Sequence, residues 1–531
     1  MFPPTPGTGS SRAGPSDSPA GGGRLGDANA YMPLYGSGIG ANPWGAAGET
    51  PLFPDDGSSP STIWRLDEFA QDPGYLAYQE ELRDLIFTTA THAAPTREGT
   101  PVATSPNGAS SSSAVDAITS SIPTAAHVSA SNITTTTPPT QEELHRRTNA
   151  ILSQGRRLEY LKSYLGQVAP WLDMFDSSGR AFGIEVPARA RESPALLFAI
   201  LALSARQKER KEAGGQRQRA TSFDSLELYQ ETIRLLTPLL QARDPRSVPI
   251  CTILCAMEMM SASARDWRKH LEGCAALFDA FGVHGFSGGL FQAVFWCYAR
   301  MDLCGALISD GTQGTLVPPA KWLAPGADES EARERFREAK SPDAHANYAV
   351  YLCAKVCGLI ADRTRFVELG DANGCSSQVF TRSWQALWND LQVWLDDRPP
   401  EMLPASEMET RPFPQILFAH WAAISSTQLY HTACVLLLNM MPRSVQAPAG
   451  IAGSATWHAR RICGISLTNP HEGCLNNAIQ PLWVAGRLLS HRSEHATIAK
   501  LIRNIEAKTG WGSAWRIADL EAVWGYKVHR T

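Results

Sequence analysis

Ser383-Trp384-Gln385-Ala386-Leu387-Trp388-Asn389-Asp390-Leu391-Gln392-Val393-Trp394-Leu395 is the stretch whose reading decides the fold class. Its large apolar residues, Trp384, Leu387, Trp388, Leu391, Trp394 and Leu395, step by three and four, which places them on one face of an α-helix. A strand would need alternation instead. Arg398-Pro399-Pro400 follows, and a proline pair stops a helix by removing backbone donors and blocking the preceding turn.

The same period spreads outward in both directions. Leu226, Tyr229, Ile233 and Leu236 form one stripe, after which Thr237-Pro238 reads as a cap and first-turn proline that restarts or kinks the helix. Trp267, Leu271, Cys274, Phe278 and Phe281 form a second, ending before Gly282. Phe291, Val294, Phe295, Tyr298 and Met301 form a third, and Ile498, Leu501, Ile502 and Ile505 a late one closed by Gly510. No useful window alternates apolar and polar residues, and no repeat of roughly 30 to 45 residues recurs. The expectation is an all-α protein, an irregular multi-helix bundle.

Composition divides the chain. Residues 1–60 are rich in Pro, Gly and Ser, lack apolar periodicity, and are expected to be disordered. Residues 61–89 carry Leu66, Phe69, Tyr75, Tyr78, Leu82, Leu85 and Ile86 at near-helical spacing, broken by Pro73-Gly74, and read as a short docking segment. Residues 90–140 are a Ser/Thr/Pro linker, and 141–531 the helical domain. Thr5, Ser18, Ser59, Ser105 and Thr137 each precede proline, where a proline-directed kinase could act.

Met1-Phe2-Pro3-Pro4 opens without the features of a secretory signal, so the chain is expected inside the cell. The longest apolar run, Ala195 to Leu203, falls short of the about 20 residues that span a bilayer. A net charge of −4 offers no basic field for nucleic acid or anionic lipid. Arg206, Lys208, Arg210 and Lys211 make one short basic patch, read as a solvated helix end. All eleven cysteines lie between Cys251 and Cys474 without a C-x-x-C pair, and reduced, buried thiols fit best. Cys251 with Cys255, and Cys353 with Cys357, stand four apart, but their sequence neighbours supply no cation to hold thiolates.

Several patterns invite chemistry. His491-Arg492-Ser493-Glu494-His495 matches H-x-x-E-H, two zinc-binding histidines and a glutamate that activates water. A third ligand must come from downstream, where Glu506 and Glu521 are the candidates, so a zinc peptidase is a remote alternative. Asp173 and Asp176 stand close enough for paired acid/base work, yet more naturally accept hydrogen bonds at a helix end beside Trp171. Arg300 and Asp302 are expected to pair with charges on adjacent helices. Trp267, Trp296, Trp384, Trp388, Trp394, Trp421, Trp483, Trp511, Trp515 and Trp524 mostly coincide with apolar faces and read as core. No catalytic, cofactor-binding or metal-binding residue is assigned, and an enzyme is not expected.

Beyond these patterns, Ala169-Pro170-Trp171-Leu172-Asp173-Met174-Phe175-Asp176, Ala202-Leu203-Ser204-Ala205-Arg206-Gln207, Trp267-Arg268-Lys269-His270-Leu271-Glu272-Gly273-Cys274, Leu429-Tyr430-His431-Thr432 and Gln480-Pro481-Leu482-Trp483 occur in one consistent order. With their neighbours from Tyr160 to Gly525 they resemble the fungal-specific transcription factor domain. The resemblance implies an α-helical regulatory region of a nuclear transcription factor at RNA polymerase II promoters, with the transcriptional machinery or another factor as partner. Such regions usually follow a binuclear zinc cluster of six cysteines that grips DNA. Residues 1–250 contain no cysteine, so the zinc of that cluster has no ligands in this chain. Either an upstream segment carries it, or the protein reaches DNA through partners. A helical interaction scaffold is the alternative from another class, and a small-molecule effector pocket between the helices is compatible with both.

Overall fold

The computed structural model describes residues 68–93, 140–213, 223–261, 264–309 and 311–528. The expected disorder of 1–60, the linker as far as 139 and all five proline-directed hydroxyls lie outside these residues. The described part is helical throughout, apart from one hairpin.

The Ser377–Asp396 helix begins at Ser376, whose hydroxyl accepts from the Val379 N–H, and runs to the predicted stop. Its tryptophan face is buried. Trp384 Nε1 donates to Leu437 O at 2.7 Å and Trp394 Nε1 to His345 O at 2.9 Å, which ties this helix to Trp421–Asn439 and Pro342–Thr364. Trp384 and Trp388 stack with ring centres 5.5 Å apart. The ring faces thus supply packing while the indole N–H groups satisfy carbonyls at specific places.

Pro194–Ala213 pairs with Asp224–Gln241, and Ser247–Ser261 packs under it against Ala264–Phe281 and Gly289–Ile308. The Asp224–Gln241 helix continues through Pro238 rather than restarting there. Ser247–Ser261 is buried on nearly every side, so its apolar composition shows little amphipathic pattern. Pro73–Ala93 packs on both Asp224–Gln241 and Ala264–Phe281, burying Tyr75, Leu82, Ile86 and Ala90; Phe69 is buried just before it. The break expected at Pro73-Gly74 falls between the short Glu68–Gln71 helical turn and this helix, whose first turn the pair forms: Asp72 Oδ1 accepts from the backbone N–H groups of Gly74 and Tyr75 at 2.8 and 3.2 Å.

The last helices, Ala455–Thr468, Ile479–Gly486, Arg492–Thr509 and Trp515–Trp524, enclose a second apolar cluster that includes Ile462, Leu482, Ile502 and Leu520. Trp511 packs against both clusters. Gly510 ends Arg492–Thr509 at φ 75°, a left-handed conformation open to glycine at little cost.

The hairpin joins Pro404–Met408 to Gln415–Phe418 in antiparallel register. Ile416 and Phe418 point inward and Gln415 and Leu417 outward, an alternation too short to register against the helical background. Asn469 holds it, accepting from Phe418 N at 2.9 Å and donating to Ile416 O at 2.6 Å. Among the described residues no helix is long and apolar enough to cross a membrane.

Candidate functional site

A cleft opens where the early, middle and late parts of the helical body meet. The short Ala169–Leu172 helix contributes Trp171 and Leu172, Gly289–Ile308 contributes Arg300, Met301, Cys304 and Ile308, and the C-terminal segments contribute Asn476, Asn477, Gln480, Trp511 and Trp515. It encloses about 760 Å³ counting its open mouth. Trp171 and Trp511 meet edge to face with centres 6.0 Å apart. Burial pushes the Cys304 thiol up to about 12, so this cysteine is a packing group rather than a nucleophile.

Arg300 is the charged side chain of the lining and is 6 % exposed. The expected partner for it was a charge on an adjacent helix, but its Nη2 donates to backbone, to Leu172 O at 2.7 Å and Trp171 O at 3.4 Å. These carbonyls lie at the end of the Ala169–Leu172 helix, where they lack helical partners and attract a cation. Asp302 also finds backbone instead of charge, accepting from Leu316 N at 2.8 Å and Val317 N at 3.0 Å. Burial raises its carboxyl to about 6 against those donors.

Asp173 and Asp176 do not form an acid/base pair facing a substrate. Asp173 accepts from the N–H groups of Phe182 and Gly183, both at 2.7 Å, and Asp176 from Ala181 at 2.8 Å, so both carboxylates close the loop that leads into Val186–Ala190. Burial lifts Asp173 to about 7 and raises Asp176 as well.

The H-x-x-E-H motif resolves into a helix cap. His491 precedes the Arg492–Thr509 helix, its Nδ1 accepts from Ser493 N at 3.2 Å, and the Glu494 carboxylate returns to the His491 N–H at 3.3 Å. This reciprocal arrangement is a capping box, which satisfies orphan donors of the first turn. His495 points elsewhere: Nε2 donates to Leu489 O at 2.8 Å, Nδ1 meets Tyr526 Oη at 2.6 Å, and the ring stacks on Trp524 at 4.0 Å. Among the described residues no group of three His, Cys, Asp or Glu side chains is placed to hold a metal ion.

Two buried polar centres escaped the sequence reading. Glu258, fully buried, accepts from Tyr229 Oη at 2.8 Å and Gln79 Nε2 at 2.9 Å, and lies 3.0 Å from His270 Nδ1. His270 loses charge stability to burial, but Glu258 and Cys274 outweigh this and hold its pKa well above the ordinary value. The neighbouring helix thus places a histidine beside a buried carboxylate near Cys251, whose carbonyl faces His270 Nε2 at 3.3 Å. In the second centre His458 Nε2 faces Ala452 O at 2.9 Å, so it must donate; its Nδ1 then accepts from His431 Nδ1 at 2.7 Å. His431 Nε2 is left to accept from Arg461 Nε at 3.4 Å. Both rings are neutral in this chain of donors, and burial together with neighbouring positive charge lowers His431 strongly and His458 to about 4.

The basic run is not a solvated face. Arg206 is 2 % exposed, lies 4.1 Å over the Phe69 ring and donates to Ser261 Oγ at 2.8 Å. Lys208 pairs with Glu159, Lys211 donates to Gln167, and Arg210 reaches Gly510 O and Glu506.

Residues 159–525 match the model of the fungal specific transcription factor domain. The chain is also similar to Transcription activator AMTR1 of Alternaria alternata, 22% identical over 341 residues that cover 52% of this chain and 43% of that protein. The chain thus spans less than half the length of this relative. No solved structure matches. With the match covering more than half of the chain and most of the helical body, the chain belongs to the fungal-specific transcription factor domain family.

Proposed function

We propose that this chain is the regulatory region of a zinc-cluster-type transcription factor acting in the nucleus at RNA polymerase II promoters, and that it reaches DNA through another module or a partner. A transcription regulator is what the family supports; the observation that carries the finer reading is the coincidence of the matched stretch, 159–525, with one continuous helical body. Phosphate binding needs clustered, available Lys and Arg, and Arg206, Lys208, Arg210 and Lys211 are already engaged with partners inside the chain. The role is non-enzymatic: the paired carboxylates and the histidine motif serve backbone and caps.

Fused to a foreign DNA-binding domain, the chain should change the output of a reporter carrying that domain's site. Alone, the purified chain should show no salt-sensitive binding to duplex DNA. An unchanged reporter would favour the interaction scaffold, and tight binding that weakens steeply with salt would refute indirect DNA access.

A further inference from the structure

The cleft walled by Trp171, Arg300 and Trp511 has three properties that an ordinary packing gap lacks. Arg300 is buried, yet no carboxylate among the described residues lies within 4.0 Å of it. Its two carbonyl contacts use Nη2 alone, which leaves the rest of the guanidinium fork for another acceptor. Close by, Trp171 Nε1 and both amide atoms of Asn476 are buried without a hydrogen-bond partner. Native proteins rarely leave such groups unpaired, and three in the wall of one cleft point to an absent acceptor and donor.

The surroundings narrow the chemistry. Trp511, Trp515, Met301 and Ile308 make the remaining wall largely aromatic and aliphatic, and no acidic residue lines it. A second buried guanidinium, Arg516, is held behind the wall by Gln480 at 2.7 and 3.0 Å and paired with Asp519 at 2.9 Å, so Arg300 remains the charge of the cleft itself. We infer that this cleft binds a small aromatic monocarboxylate: the carboxylate on the Arg300 fork, the planar body against the indole rings, and the polar edge on Asn476 and the Trp171 N–H. An Arg fork matches a carboxylate in charge and geometry, and the low dielectric strengthens the pairing. A phosphate brings more charge than the one guanidinium of the lining can balance, and the neutral Trp171 and Asn476 donors beside it do not make up the difference. The cleft, about 760 Å³ with its open mouth, lies within the range of small-molecule sites.

The claim concerns binding and is independent of promoter action, so its failure would leave the transcriptional reading standing. The test titrates the full chain with benzoate, benzyl alcohol and inorganic phosphate, following ligand NMR line broadening and heat. Benzoate should bind at least about tenfold more tightly than benzyl alcohol. Arg300→Gln should shrink that preference to about twofold or less while retaining weak benzyl alcohol binding. Ile308→Trp fills the cleft from the half-buried end of its helix without touching Arg300, and should abolish binding of both aromatic probes even if Arg300→Gln fails to fold. Equal affinity for the two aromatic probes, benzoate binding that survives Ile308→Trp, no saturable benzoate binding, or phosphate competing as strongly as benzoate would each overturn the assignment.

Discussion

Gly273→Ala tests whether the Pro73–Ala93 helix is seated as described, because two large terms of opposite sign meet at that position. Gly273 lies inside Ala264–Phe281, where alanine should favour the helix by about 1 kcal/mol. A Cβ there would stand 2.9 Å from Ile86 Cγ2 and 3.5 Å from Ile86 Cβ. Ile86 is fully buried and β-branched, so its methyl has little room to rotate away. Overpacking of this kind costs about 1–3 kcal/mol. The net expectation for Gly273→Ala is a destabilisation of up to about 2 kcal/mol, although an isolated helix would gain. Ile86→Ala alone should cost about 2–5 kcal/mol through lost burial and the cavity left behind. In the Ile86→Ala background the clash disappears, so Gly273→Ala becomes neutral or stabilising. The double-mutant coupling should therefore amount to about 1–3 kcal/mol in the compensating direction. Urea unfolding of the four full-length proteins measures it, provided two probes give coincident transitions. A Gly273→Ala protein as stable as the parent, with effects that add to within about 0.5 kcal/mol, would show that Ile86 does not pack on this glycine.

Two further outcomes follow from the polar centres. His458 has a folded pKa near 4 against an ordinary value of 6.5, so its contribution is fully present above 6.5 and is lost as pH falls; relative to His458→Asn, the parent should lose about 2 kcal/mol of stability between pH 6.5 and 5, measured by urea midpoints at each pH. A pH-independent difference between the two proteins would mean that His458 is not buried as the neutral base. Glu494→Gln leaves one amide oxygen for two donors, the His491 N–H and Arg460 Nε, so it should cost about 1 kcal/mol of stability while leaving the zinc content of the purified chain unchanged within error. Stoichiometric zinc that disappears with this substitution would restore the peptidase reading.

The helical period carried most of the architecture. Helices with one apolar face, such as Ser377–Asp396, announced themselves through tryptophan and leucine spacing and through the Pro399-Pro400 stop. Ser247–Ser261, enclosed on nearly every side, shows no such contrast between faces. Local chemistry marked the boundary at Pro73-Gly74, where one helical element ends and the next begins, but misled at Thr237-Pro238 as a restart, because packing carries the helix through that proline. The four-residue Gln415–Phe418 strand depends on Asn469, which is remote in sequence.

The polar centres were illegible for a stronger reason: their meaning lies in partners far apart along the chain. Gln79 meets Glu258 across 179 residues, so neither residue alone reads as one end of a link between the Pro73–Ala93 helix and the domain. That link ties the family-matched body to a helix N-terminal of the matched stretch. Glu258 is fully buried, and losing Gln79 would leave its carboxylate with one donor fewer in a dry site, a cost out of proportion to a single surface hydrogen bond. Arg300 poses the reverse case. Sequence suggested that so buried a cation must find an opposite charge, and the fold supplies carbonyls instead. A buried charge satisfied only in part by its own chain retains attraction for an acceptor from outside, and the unpaired Trp171 and Asn476 groups occupy the same cleft. Tertiary structure is therefore the first level at which this region reads as a place where a ligand could be bound.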